Sequence, residues 1–484
     1  MPINSFLYPG AKVTIAYEVA NSLRFDDGSS DYLSKTFSSY DSTKKFTISV
    51  WLKKSANGVH NSIYGKDGAT DSASQFYFDS SSEQLRFYDS TSSSAMDLVT
   101  NRLFRDPSAW YNIILAVDTT QGTASNRVKI YVNGTQETSF STETYPAQDS
   151  TLKALDSSKD TFIGVGEITN GSKFGYFNGY MAEYVFIDGS QLTPTSFGEF
   201  DEDSPTIWKP INVSGLTFGT AGFYLDFEDS SSLGNDVAGS NNFTVNNLAA
   251  TDQTIDTCTN NFATMNPLDQ TNTGGSSATM AEGNLKWTSS GNGTSQNHMR
   301  ATFGLTAGKW YWEAKMSNSN SGRGFNTGVT GSDANMNAGG SGNMPDADPN
   351  TCWANNDSGN AKTRKDGSDV TTGLTAITEN DILQVALDLD NQKIYFGVNG
   401  TWQNSADPAA GSNAPATVDA NTTYLPACSD SGYSDAITLE FNFGNPTFSI
   451  SSGNADANGY GNFEYSVPSG YYSLCTKNLA EYGG

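Results

Sequence analysis

Histidine is almost absent from this sequence: His60 and His298 are the two in 484 residues. Both sit in Ser/Asn-rich text, and neither has a G-x-S-x-G elbow nearby. Hydrolysis by an imidazole-activated nucleophile therefore has little to work with, and both histidines read as solvated surface side chains. Cysteine is scarce too. Cys258, Cys352, Cys428 and Cys475 lie far apart with no C-x-x-C pair, which excludes ordinary zinc spacing; they read as semi-buried thiols. Basic residues are few, 27 Lys and Arg against 52 Asp and Glu, for a net charge of −25. No Lys/Arg-rich stripe is present, so nucleic acid and anionic membranes are both poor partners. The acidity reads as a solubility device. No apolar run approaches the roughly 18 residues of a membrane span, so membrane insertion is not expected. The opening "MPINSFLYPGAKVTIAYEVA" lacks a basic region followed by an apolar run, and export by the common secretory route is not expected either. No G-x-x-x-x-G-K-[ST] phosphate loop occurs.

What is present is Ser, Thr, Asn and Gly between aromatic strands. Charged residues make up 16% and aromatics 12%. That mix suits many turns and few helices. The length exceeds what one core usually supports, so two or more domains are expected. In "KFTISVWLKKS", Phe46, Ile48, Val50 and Leu52 share one face by period two. "QFYFDSSSEQLRFYDS" reads as a hairpin around a Ser-rich turn. "WYNIILAVD" is more continuously apolar, as in a strand covered on both faces. "KIYVNGT" (129–135) and "KIYFGVNGT" (393–401) spell nearly the same Asn-Gly hairpin twice. The extra Phe396-Gly397 of the second reads as a bulge. "LDQTNTGGSSATMAEG" (268–283) reads as a linker, and the Gly/Asn/Asp tract 331–373 as extended loops.

The expected fold is all-β: two antiparallel β-sandwich (jelly-roll) domains with long loops and little helix. The division is a lead at 1–20 (an anchor or oligomer contact), a sandwich at 21–200, a connecting region at 201–283, a second sandwich at 284–450 and an extension at 451–484.

"LRFDDGSSDYLSKTF", "FTISVWLKKS", "RDPSAWYNIILAVDTT", "NRVKIYVNGTQ" and "FNGYMAEYVFIDGSQLTP" together resemble the laminin-G-like, concanavalin-A-like lectin sandwich. "GKWYWEAKM", "NDILQVALDLDNQKIYFGVNGTW" and "ITLEFNFG" resemble the SPRY domain. The order of the two, joined by "GFYLDFEDSSSLGNDVAGSNNFTV", is similar to virion fibre and appendage proteins of tailed bacteriophages, marine ones especially. That resemblance implies a non-enzymatic protein on the virion surface. Its partners would be other virion proteins and host cell-surface polysaccharide, and its usual arrangement a homotrimer. A purely structural decoration role and a polysaccharide depolymerase are the alternatives.

Three sets of residues carry candidate chemistry. Trp353, in the loop tract, and Trp402 with Asn399, at the second Asn-Gly turn, are candidates for glycan contact. Trp51, Trp110, Trp310 and Trp312 lie in strand patterns and read as core. Asp26, Asp27 and Asp31 in "FDDGSSD", Asp388 and Asp390 in "LDLDN", and Asp346 and Asp348 in "DADPN" offer the oxygen ligands that calcium takes, without EF-hand spacing. Such clusters also form Asx turns. Lastly, Glu199, Asp201 and Asp203 in "GEFDEDSP" have the alternating spacing of glycosidase carboxylates. Gly198 and Pro205 bracket them, and a charged loop is the stronger reading.

Overall fold

The computed structural model describes residues 17–483 apart from 70–71, 92–93, 170–171, 274, 292–295, 320–323, 337–343, 345–347, 356–359 and 431–434. The chain folds as two antiparallel β-sandwiches, as its alternating aromatic strands require. In the first, one sheet runs Thr135–Gln136, Val128–Val132, Tyr111–Asp118, Lys45–Lys54, Gly179–Asp188, Ser22–Phe25 and Gln253–Thr254, with Phe223–Leu225 also paired to Gly179–Asp188. The facing sheet is centred on Asn61–Ala69, Ser72–Phe78, Gln84–Thr91 and Ser94–Leu103. Phe46, Ile48, Val50 and Leu52 point into the core between the sheets, against Phe76, Phe87 and Leu98. The continuous apolar run of Tyr111–Asp118 has the cause its pattern suggested. Ile113, Leu115 and Val117 face that core. Ile114 and Ala116 face the other way, into a satellite cluster with Tyr131, Val185, Phe197 and Tyr224.

The second sandwich pairs Lys309–Ser319 with Ile382–Asp388 and Ile437–Asn442 in one sheet. In the other, Phe325–Gly331 lies between Asn350–Asn355 and Tyr424–Asp430. Its core is built on Trp287, Trp310, Trp312 and Trp353 with Phe396 and Phe441. The C-terminal extension is part of this domain. Tyr472–Ser473 pairs in parallel with Lys309–Ser319, the helix Thr476–Tyr482 follows, and Phe463 and Tyr471 cover Tyr311 and Tyr395 on the outer face.

Four readings change. The span 201–283 is not a mere connector. Phe223–Leu225, Thr244–Asn246 and Gln253–Thr254 add to the first sandwich, while Met265–Thr273 and Thr279–Ala281 add to the second. The tract 331–373 contains the strands Asn350–Asn355 and Asn360–Lys365 and most of Ser368–Thr375; its small polar residues hide the alternation. Phe396-Gly397 is not a bulge, because register runs unbroken from Leu383↔Val398 to Asp388↔Lys393. His298 is fully buried on the strand Gln296–Ala301, its Nε2 3.2 Å from the Thr330 hydroxyl. Burial pushes its pKa down to about 4.

The sandwiches meet through buried polar contacts. Lys53 Nζ lies 2.5 Å from Asp256 Oδ2, both side chains almost fully buried. Trp110 Nε1 donates to the other Asp256 oxygen at 3.2 Å, and Asn445 of the second sandwich donates to Oδ2 at 3.3 Å. Asn284 Nδ2 donates to the Ser55 carbonyl at 2.7 Å, and the Tyr180 hydroxyl to the Gly283 carbonyl at 2.9 Å.

A cleft on the outer face of the first sandwich

The strand Gly179–Asp188 carries a β-bulge. Ala182 pairs with Trp51 and Val185 with Ser49, so Glu183 and Tyr184 together oppose Val50. Glu183 sits there with φ of +50°, in the left-handed region that non-glycine residues rarely occupy. The extra residue reverses the parity of the strand. Tyr184 points into the core and donates to the Ile63 carbonyl at 3.2 Å. Glu183 is turned to the outer face, 5% exposed. Bulges next to functional sites re-aim side chains in this way.

The neighbouring segment "FYLDFE" opens with the strand Phe223–Leu225 and continues as extended chain. Phe223, Leu225 and Phe227 pack in the core, so Tyr224, Asp226 and Glu228 fall on the outer face. Phe227 also holds a left-handed backbone, φ of +59°, which keeps its ring inside while the carboxylates on either side stay out. The Tyr224 hydroxyl donates to Glu183 Oε2 at 2.7 Å, and the Tyr17 hydroxyl reaches the same oxygen at 3.0 Å. The two hydroxyls are 3.1 Å apart.

In front of these groups is a cavity of about 450 Å³, lined by Tyr17, Phe218, Tyr224, Asp226, Glu228 and Asn212 among others. The rings of Phe218 and Tyr224 are near-parallel, 7° apart in plane with centroids at 6.4 Å. Burial pushes the Glu183 carboxyl up to about 7; the two tyrosine donors oppose the shift, and Asp226 and Glu228 add to it. Asp226 is also raised, chiefly by its own burial. Aromatic faces beside carboxylates, an amide and hydroxyls can stack on a sugar ring and hydrogen-bond its hydroxyls.

The residues expected to carry chemistry lie elsewhere. Trp353 is no platform: it is fully buried, its ring 5.8 Å from Phe396 in the second core. Trp402 is half-buried and packs edge-on to Tyr311. The Asn399 side chain is committed to its own hairpin, accepting from Ile382 N at 2.9 Å and donating to Asp381 at 2.6 Å. Asp26, Asp27 and Asp31 do share one loop. Asp31 accepts from the Asp26 N–H at 2.9 Å, Ser29 donates to Asp26 at 3.2 Å, and Asn178 donates to Asp27 at 2.6 Å. Burial pushes the Asp31 carboxyl up to about 7. Asp388 is held by Lys309 at 3.0 Å and by Asn391, and Asp390 accepts from Gly308 N at 2.8 Å. Asp346 lies outside the described residues, and Asp348 is exposed. Among the described residues no three His, Cys, Asp or Glu side chains are grouped to hold a metal ion; in the structure these aspartates serve as Asx-turn and ion-pair residues. Glu199 and Asp201 share Lys209, each at 3.4 Å, on a small hairpin outside the cleft.

The sequence reading missed Tyr17, Glu183, Tyr224, Asp226 and Glu228. The signal for the last three was the strict alternation of "FYLDFE". Nothing local marks the bulge at Glu183.

The family profile of the concanavalin A-like lectin/glucanases superfamily matches residues 27–195, and that of the SPRY domain matches 309–446. The chain therefore carries a concanavalin A-like domain followed by a SPRY domain. No curated protein matches the chain. Among solved structures it is similar to the SPRY domain of human HERC1, at 20% identity and TM-score 0.27, over 37% of this chain and 96% of that one. It is also similar to the native heptameric SAP-like pentraxin of Limulus polyphemus, at 12% identity and TM-score 0.30, over 48% and 94% respectively. At those scores neither likeness bears on function.

Proposed function

We propose that this chain is a non-enzymatic subunit of a bacteriophage virion, a fibre or appendage protein, that grips host-surface polysaccharide through the cleft around Glu183. The observation that carries the binding part is the cleft itself. A buried carboxylate, turned outward by a bulge and met by two tyrosine hydroxyls, lies behind an aromatic-lined cavity on a lectin-type sandwich. The virion part is supported by the order of the two domains and the text that joins them. A single such cleft binds weakly, and many copies on one particle make such contacts useful.

A glycan array probed with the intact protein tests the binding. Retention of host polysaccharide that is lost on Tyr224→Phe and Asp226→Asn supports it. Binding that ignores both changes refutes the assignment to this cleft. Release of reducing ends would overturn the non-enzymatic part. Cryo-EM of particles tests the location, and a protein absent from the virion ends that part of the proposal. The second reading is a purely structural role. The buried contacts between the sandwiches favour it, since they suit a stiff spacer. Stable incorporation into particles without any glycan binding would select it.

A further inference from the structure

A second cavity, of about 360 Å³, lies where the two sandwiches meet. The first sandwich contributes Asn21, Thr251, Gln253 and Thr254, and the second contributes Asn445, Phe448, Ser449 and Asn462. In a chain of net charge −25, none of the lining residues is charged. The wall mixes amides and hydroxyls with Ala250, Ile255, Pro446, Ile450 and the ring of Phe448, so it offers donors, acceptors and apolar surface and no formal charge.

One side chain fixes the rim from both sides. Arg24, 1% exposed, donates from Nη2 to the Thr251 carbonyl at 2.9 Å and from Nη1 to the Pro446 carbonyl at 3.3 Å. Glu282 takes its Nε–H at 3.1 Å, and Asp252 is 3.5 Å away. The cavity is thus pre-organised, with its two halves clamped by a single guanidinium.

Asn445 adds a further sign. It lines the cavity and is 1% exposed. Its Nδ2 is engaged by Asp256, and its Oδ1 has no hydrogen-bond partner. A buried amide oxygen left without a donor costs free energy; this one is sealed behind the cavity wall, so the wall at Asn445 is polar and under-satisfied.

We propose that this inter-domain cavity is a second ligand site, taking a neutral, hydroxyl-rich molecule of sugar type. The lining excludes the charged classes. The rim guanidinium of Arg24 is spent on two carbonyls and on Glu282 and Asp252, so a carboxylate, sulfate or phosphate would find no free cation, and an ammonium would find no anion in the lining. The size falls within the range of small-molecule sites, about 300–1,000 Å³. Both domains are needed to form it, so a bound sugar ties them together. It stands apart from the Glu183 cleft, and neither site depends on the other.

The test is calorimetric titration of the intact protein with maltose, cellobiose and lactose, and with glucuronic acid and glucosamine as charged controls. Saturable binding of a neutral disaccharide is expected, weakened at least about tenfold by Asn445→Ala. Ser449→Trp, at an exposed rim position, should do the same by filling the cavity without disturbing a core. Val370→Ser, exposed on the strand Ser368–Thr375 and away from both cavities, should leave it unchanged. Absence of neutral binding, tighter binding of a charged control, or binding indifferent to Ser449→Trp would each overturn the proposal. Loss in Tyr224→Phe alone would assign the sugar to the outer cleft and overturn it equally.

Discussion

Asn133 and Asn399 hold the same backbone angle, φ of +46°, at the turns of two hairpins in different sandwiches. Each is followed by a glycine of positive φ, Gly134 at +75° and Gly400 at +83°. Each Oδ1 accepts an N–H at the start of the neighbouring strand, from Asn112 at 2.8 Å and from Ile382 at 2.9 Å. Each backbone N–H returns a bond to that residue's carbonyl, at 2.9 and 3.0 Å. The repeated "NGT" of the sequence is thus one physical device used twice: an asparagine that tolerates the left-handed turn and ties it to the adjacent strand.

Replacing either asparagine by alanine removes the side-chain acceptor and leaves a Cβ residue in the left-handed region. Each change should destabilise its own sandwich by about 1–2 kcal/mol. Urea unfolding followed by domain-specific tryptophan fluorescence checks this, and glycine should cost less than alanine because it accepts the turn.

Asp256→Ala leaves the Lys53 ammonium buried without its counter-ion. The expected loss is about 3–5 kcal/mol, far more than for a surface pair. The double replacement Lys53→Met with Asp256→Leu should recover much of it. Scanning calorimetry of the three proteins decides, and additive losses would count against the pairing as the cause.

Glu183 makes the first sandwich sensitive to alkali. Its carboxyl is pushed from the usual 4.5 up to about 7, so the folded state binds the proton more tightly than the unfolded one. The contribution is fully present below pH 4.5 and is lost as pH rises through 7. Its ceiling is on the order of 3 kcal/mol. Glu183→Gln should remove its share of this domain's pH dependence across that window, leaving the part that Asp31 contributes.

His298 acts in the opposite sense in the second sandwich. Its folded pKa is depressed from 6.5 to about 4, so its contribution is present above pH 6.5 and is lost as pH falls through 4, again on the order of 3 kcal/mol. Acidification from pH 7 to 4 should therefore weaken the SPRY domain while firming the first sandwich. Domain-resolved hydrogen exchange at the two pH values reads both effects, and His298→Gln should remove the acid-side loss.

The strand Lys45–Lys54, with its alternation, and Ile382–Asp388, a continuous apolar run, were legible because period two and runs of apolar and β-branched residues act locally. The Asn-Gly turns were legible for the same reason. Trp353 was not, because Asn350–Asn355 is a strand of small polar residues whose pairing partners, Phe325–Gly331 and Asn360–Lys365, supply its identity.

By itself the sequence determined two all-β sandwiches and their hairpins, since side-chain alternation and turn chemistry need only neighbours along the chain. Tertiary structure decided the sites. The bulge that turns Glu183 outward exists only against Val50, the hydroxyl that meets it comes from Tyr224 on another strand, and the second cavity needs Arg24 to reach Thr251 and Pro446 at once. These are contacts between residues up to 422 positions apart, and only the folded chain sets their distances.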